Sequence, residues 1–276
     1  MDIDHLKKWI GREERACETI SERVVQQFAA TLDLDIEVAS REPVPLMIHW
    51  CFAQHPVQLS MLGEDGHPRR GSFLPPVSLP RRMWAGGAVT FGATLRIGDL
   101  VERRSRIADV TIKDGRSGPL CFVTVEHVFK VDGTCAISER QDIVYRGEGG
   151  GGVSGDRHEP APPGAHTRQI VVSPALLMRY SSVTFNAHRI HYDLAYAKGV
   201  EGYPGLIVHG PLQATLLCHH AATLNGSAPR RFTFRSLAPV SDQADFTVNA
   251  ERSEDGLRLW TAQIGGPVAM LAEATW

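Results

Sequence analysis

Charge of one sign, long apolar runs and paired cysteines are all missing from this chain. Its 29 Lys and Arg stand against 31 Asp and Glu, a formal net charge of −2. A balance so close to neutral argues against a general nucleic-acid or anionic-membrane role. No apolar run reaches the ~18–20 residues that a bilayer-crossing helix needs. The opening MDIDHLKKWIGREER is charged and has no apolar centre, so no secretory signal is expected. The five cysteines (Cys17, Cys51, Cys121, Cys135, Cys218) are odd in number and scattered, without a CxxC pair. That predicts reduced thiols and a cytoplasmic protein rather than a disulfide framework. HExxH and zinc-type Cys/His spacings are missing, as are GxGxxG and GxxxxGK[ST]. Neither a metal site nor a nucleotide cofactor is therefore expected.

What remains is a globular composition, 43% apolar and 22% charged over 276 residues, enough for one large domain or two of ordinary size. The clearest break is GEGGGGVSGDRHEPAPPGAH, Gly147 to His166, whose glycines give flexibility and whose prolines give extension. It predicts an N-terminal unit over 1–146, a linker over 147–165 and a C-terminal unit over 166–276. The first unit opens a helix at TISE, a capping-box pattern with either Thr19 or Ser21 as N-cap. Val24, Val25, Phe28 and Leu32 recur at helical spacing. A Pro-rich stretch follows, and then Val123, Val125, His127, Phe129 and Val131 alternate as one face of a strand. Asp-Gly pairs at 114–115, 132–133 and 255–256 are turn signals. The second unit repeats the plan. A helix from about Gly210 to Leu224 is apolar nearly all round and should be buried. Strand patterns follow at Phe246, Val248 and Ala250, and from Val268 to Trp276. A buried helix followed by antiparallel strands, seen twice, means an α+β fold. No residue-level repeat accompanies the repeated plan.

Chemistry concentrates between Tyr180 and Leu217. FNAHRIH sets a histidine, His191, five residues after a side-chain amide, Asn186. Gly210-Pro211 then opens the apolar helix. A titratable base, a polar group able to orient water, and free N–H groups at a helix N-terminus are the parts needed to add water across an activated C=C bond.

The order Tyr180, Val183-Thr184-Phe185-Asn186, His188-Arg189-Ile190-His191 and then His209-Gly210 resembles the MaoC-like hydratase/dehydratases of the hot-dog fold. RRGSFLPPVSLPRRMWAGG in the first unit resembles the dehydratase-type N-terminal partner domain. Together they resemble the double hot-dog branch that hydrates mesaconyl-C4-CoA or itaconyl-CoA, and the mitochondrial-type 3-hydroxyacyl-thioester dehydratases. The resemblance covers nearly the whole chain. It implies two helix-wrapped sheets forming a pseudo-dimer, with the second unit catalytic and the first walling the acyl-CoA site. One departure matters. The family's catalytic Asp falls on Asn186 and its Asn on His188, and an amide cannot act as a general base. TFNAHRIHYD looks usual for this branch, so Asn186 does not mark a dead site.

On this reading His191 is the acid/base, against the alternative of a buried histidine bonded to a carbonyl. Imidazole, with an ordinary pKa near ~6.5, can take and return a proton in turn. Asn186 is the candidate for orienting water, against a plain turn residue. His188 is a second polar contact or a turn histidine. Gly210 is the candidate N–H that polarises the thioester carbonyl, with Pro211 suited to the first helical turn. Asp193 reads as a helix cap. Arg82 and Arg189 are candidates for a substrate carboxylate or CoA phosphates, whereas Arg69 and Arg70 read as solvated loop residues. Tyr180, Trp84 and Phe185 are core or pocket wall. The implied reaction is reversible hydration of a short branched enoyl-CoA, mesaconyl-C4-CoA or itaconyl-CoA to citramalyl-CoA, with the CoA thioester as substrate and no other cofactor. The alternatives are dehydration of longer 3-hydroxyacyl thioesters, thioester hydrolysis, or a non-catalytic acyl-CoA-binding scaffold. Neither a nucleic-acid nor a membrane partner is expected, and an exposed sheet edge or face would make a homodimer reasonable.

Overall fold

The computed structural model describes residues 1–115, 118–147 and 159–276. The first half contains α1 (Ile3–Lys7), β1 (Glu13–Thr19) and α2 (Glu22–Leu32). A long irregular passage then leads to β2 (Arg81–Phe91), β3 (Leu100–Gly115), β4 (Gly118–Val131) and β5 (Thr134–Arg146). The second half contains β6 (His166–Ile170), α3 (Pro174–Val183), α4 (Leu194–Gly199), α5 (Gly210–Asn225), β7 (Arg231–Ser236), β8 (Phe246–Ser253), β9 (Gly256–Gln263) and β10 (Val268–Thr275). Of the predicted linker, residues 148–158 lie outside the described residues. The stretch after them is tied to the second half, where Trp260 Nε1 donates to the Pro162 carbonyl at 3.2 Å and Gly164 N–H to Asn249 Oδ1 at 3.2 Å.

Local signals explain the element ends. Of the two N-cap candidates Ser21 is the cap: its side chain accepts from Val24 N–H at 3.2 Å. Val25, Phe28 and Leu32 turn to the core as their spacing predicts. The Asp132-Gly133 pair takes left-handed φ at both residues (49° and 78°), the turn that matches the twist of the flanking strands. α5 is buried nearly all round, and Gly226 ends it in the left-handed conformation. Among the described residues no helix is long and apolar enough to cross a membrane.

The strands form one antiparallel sheet in the order β1-β3-β4-β5-β2-β7-β10-β9-β8-β6. Read outward from the middle, both halves have the same order, so they are related by a pseudo-twofold axis between β2 and β7. The sequence implied two sheets; their edges join instead, from Gly86↔Arg235 to Thr90↔Arg231, which pairs backbone groups that two separate edges would leave open along this stretch. The WAGG motif makes this seam possible. A Cβ on Gly87 would lie 2.3 Å from the Arg140 carbonyl oxygen and 2.9 Å from the Phe234 ring, so only glycine admits the approach. One large core spans both halves around α2, α3 and α5. A smaller one, with Ile107, Val110, Val123, Val125 and Tyr145, sits at the far end of the first half's long strands.

Candidate active site

α3 is capped by Ser173, which accepts from Leu176 N–H at 3.1 Å, and it delivers Tyr180 and Ser181 to the core. The chain leaves it through Phe185 in the left-handed region (φ 49°), and Asn186 N–H donates back to the Ser181 carbonyl at 2.8 Å. Asn186 Oδ1 then accepts from His188 N–H at 2.9 Å, an Asx turn that fixes the orientation of the amide. One 3₁₀ turn, Arg189–His191, follows and buries His191.

The tautomer of His191 is set by its partner. Nδ1 lies 2.7 Å from the Ile207 carbonyl oxygen, which can only accept, so Nδ1 carries the proton and Nε2 is a bare acceptor. Burial lowers the ring's pKa to about 4, so it is neutral at physiological pH. His209 stacks on it with centroids 3.6 Å apart and planes 19° apart, and fixes its plane. His209 is itself held by Ser181 Oγ at 2.8 Å and is pulled well below the ordinary imidazole range by burial. It also occupies the N-cap of α5, so that helix starts directly beneath the histidine pair. Gly210 N–H is among the first amides of the helix, which have no intrahelical acceptor, and helix N-termini favour developing negative charge. Trp84 packs over this residue; a Cβ on Gly210 would fall 2.9 Å from its Cε3.

These groups line a cleft of about 1200 Å³ walled by both halves. His191, Asn186, Gly210, His188, Tyr180 and Arg82 all contribute to it. Arg189 does not, and the sequence-based assignment to substrate binding is corrected here. Its guanidinium donates twice to Asp193 Oδ2 (3.0 and 2.7 Å) and once to the Glu64 carbonyl (3.0 Å), and it lies 4.2 Å from the Tyr196 ring centroid. A fork satisfied by a carboxylate has little left for a ligand. Asp193 is the expected cap, accepting from Tyr196 N–H at 3.0 Å. Arg70 is a second correction. It is no solvated residue but a staple, donating to the carbonyls of Val77 (2.7 Å), Leu79 and Pro80 and lying over Tyr145. That Pro-rich loop has no strand neighbour to satisfy those carbonyls. Arg81 pairs with Glu201 at 3.5 Å; Arg82, beside it, has no ion-pair partner among the described residues. Tyr180 is buried, with its hydroxyl 3.4 Å from Thr215 Oγ1, and Phe185 is exposed at the mouth.

Sequence reasoning missed two groups in the cleft. On the first half's sheet, buried Glu139 accepts from Trp50 Nε1 and Gln141 Nε2, both at 2.8 Å, with His49 Nε2 at 3.4 Å from its other oxygen. Burial raises its pKa, but His49 and its other neighbours outweigh that and hold it at about 2. His127 beside it was legible as a polar residue on an apolar strand face; Glu139 carried no such signal. The second is His67, which lines the cleft and is backed by Asp65; with His188 the two bring ligand-type atoms within 4.8 Å of one another, a grouping that could hold a metal ion. The charge of Arg82 acts on all three, which disfavours a cation there.

Comparison with known proteins gives a consistent result. The family model for hydroxyacyl-thioester dehydratase type 2 matches residues 47–242. A mesaconyl-C(4)-CoA hydratase of Chloroflexus aurantiacus is 43% identical over 267 residues, covering 96% of this chain and 95% of the relative. A MaoC-like dehydratase from Phytophthora capsici superposes with a TM-score of 0.70 at 14% identity over 100% of this chain and 99% of that one. A Mycobacterium tuberculosis protein described as a double hot-dog superposes at 0.59 with 12% identity, over 97% and 96%. The double hot-dog α+β fold expected from the sequence is the fold of these neighbours.

Proposed function

The chain belongs to the hydroxyacyl-thioester dehydratase type 2 family, and from that premise we propose that it reversibly hydrates a short branched enoyl-CoA of the mesaconyl-C4-CoA or itaconyl-CoA type. Hydratase/dehydratase chemistry, a carbon–oxygen lyase activity on a CoA thioester, is supported by the family and by the 43% identical relative. The observation that carries the mechanism is the bare Nε2 of His191 in the same cleft as the Gly210 N–H.

Water attacks the β-carbon and His191 Nε2 takes its proton. The displaced electron pair passes through the α-carbon to the thioester oxygen, where the Gly210 N–H and the start of α5 stabilise the enolate. The imidazolium then returns the proton to the α-carbon and the thioester re-forms. One histidine thus serves both steps, and the reverse sequence is the dehydration. Arg82, a cation in the cleft with no ion-pair partner among the described residues, suits the second carboxylate of a dicarboxylate-derived acyl group. This favours the short dicarboxylate over a long alkyl chain.

The test is loss of the conjugated thioester absorbance with mesaconyl-C4-CoA. His191→Ala is expected to lower kcat by ~10²–10⁴-fold with the melting transition retained. Near wild-type turnover in that variant would falsify the assignment. The wild-type kcat/KM should hold down to about pH 4 before the acid limb, where protonation of the buried ring removes the base.

A further inference from the structure

We infer that Asp65 and His67, on a turn of the first half, form a second arm of this active site, in which His67 Nε2 positions the attacking water. The inference rests on the hydratase reading and deepens it. It starts from Asn186, where the resemblance leads one to look for the water-holding group. The Asn186 Oδ1 already accepts from His188 N–H at 2.9 Å, so a local turn takes one of its two lone pairs and fixes the amide.

The first half delivers a further acceptor. Both Asp65 oxygens are turned on His67: Oδ1 accepts from its N–H at 3.0 Å and Oδ2 contacts Nδ1 at 2.9 Å. A carboxylate held at a pKa of about 2 is ionised, against the burial that alone would raise it, so Nδ1 carries the proton. His67 Nε2 is then a bare acceptor, and the residue lines the cleft. The ring centroid is 4.1 Å from that of His188, which lies 5.5 Å from that of His191. Two imidazoles with pinned tautomers, one from each half, thus lie near a third whose ring has no hydrogen bond among the described residues.

The turn is docked onto the catalytic loop. Arg189 N–H donates to the Asp65 carbonyl at 2.9 Å and the Arg189 guanidinium to the Glu64 carbonyl at 3.0 Å. Between Asp65 and His67 stands Gly66, with φ of +87°, where a Cβ would fall 1.9 Å from the Ala187 carbonyl oxygen. Such an approach holds His67 against the segment between Asn186 and His191. In the reaction, one water proton passes to His191 Nε2 as the O–Cβ bond forms. The other stays on the product hydroxyl, hydrogen-bonded throughout to His67 Nε2.

The experiment compares His67→Ala, His67→Gln and Asp65→Asn with wild type, as kcat and KM for mesaconyl-C4-CoA, with melting temperature and bound metal measured in parallel. Loss of positioning is expected to lower kcat of His67→Ala by ~100-fold with KM within about threefold of wild type. Glutamine, which keeps an acceptor, should recover part of that rate, and added imidazole should partly restore the alanine variant. Asp65→Asn should lose about tenfold through the freed tautomer. Alanine kcat within about threefold of wild type, or a defect confined to KM, overturns the proposal and leaves the hydratase reading intact. A stoichiometric divalent ion whose chelation abolishes wild-type turnover overturns it in favour of a metal site. An inactive wild type removes the hydratase reading and this arm with it.

Discussion

The two halves share one strand order and differ in how their helices and strands are proportioned. In the second half α5 runs 16 residues and lies against β7, β8, β9 and β10, whose main strands β8, β9 and β10 are each 8 residues long. In the first half α2 runs 11 residues and packs chiefly on α3 and the Ile48–Cys51 turn, while β3, β4 and β5 run 16, 14 and 13. The second helix therefore fills its sheet, whereas α2 leaves a stretch of its longer sheet uncovered, short of the smaller core that Leu6 of α1 joins. A row of polar side chains, Arg103, His127, Glu139 and Gln141, occupies that uncovered stretch and lines the cleft. In the second half a buried helix packs on its sheet with its first residues, Gly210 and Pro211, opening on the cleft. The first half has become a wall and a supplier of polar groups.

The broadest test of this contrast is stability. Leu217 on α5 is fully buried, and Leu217→Ala is expected to cost about 2–5 kcal/mol through lost burial and the cavity left behind. Gln26 on the solvent side of α2 is exposed, and Gln26→Ala should stay within about 0.5 kcal/mol of wild type. Denaturant unfolding measures both. Equal, small effects would mean that α5 does not carry the second half.

A narrower test concerns the wall. Arg82 on β2 is the cation assigned to the distal carboxylate. Arg82→Gln removes a charge-assisted contact of about 1.5–3 kcal/mol, so kcat/KM for mesaconyl-C4-CoA is expected to fall by ~10–100-fold. Turnover of crotonyl-CoA, which lacks that carboxylate, should not fall. A parallel loss for both substrates would make Arg82 a structural residue of the β2 seam.

How much of this was readable in advance follows the range of the interactions. α5, its apolar surround, the FNAHRIH loop and the Gly210 start are written in contiguous sequence, as are the Asp193 cap and the Asp132-Gly133 turn. The family-specific run also singled out His191. What did not show were contacts between distant segments. Ile207 fixing the tautomer of His191, Ser181 holding His209, and the Asp65–His67 turn reaching the FNAHRIH loop are all set by tertiary approach. Arg189 and Arg70 were misread for the same reason: a loop arginine looks solvated or ligand-binding until its carboxylate or carbonyl partners are seen. Merging of the two sheets was equally hidden, since Gly86 and Gly87 reveal a seam only once Phe234 lies against them.

Asn186 gives the smallest expected effect and the sharpest question, namely which half holds the water. If its amide serves the turn, Asn186→Ala loses one hydrogen bond to His188 N–H, worth about 0.5–1.5 kcal/mol of stability, and kcat falls less than about tenfold. Asn186→Asp keeps the acceptor for His188 N–H, so its fold and rate should stay near wild type. If the amide instead holds the water, the alanine variant should approach the defect of His191→Ala while His67→Ala remains active. The pair of alanine variants, each assayed for kcat and KM on the same thioester, therefore assigns the water to the second half's loop or to the first half's turn.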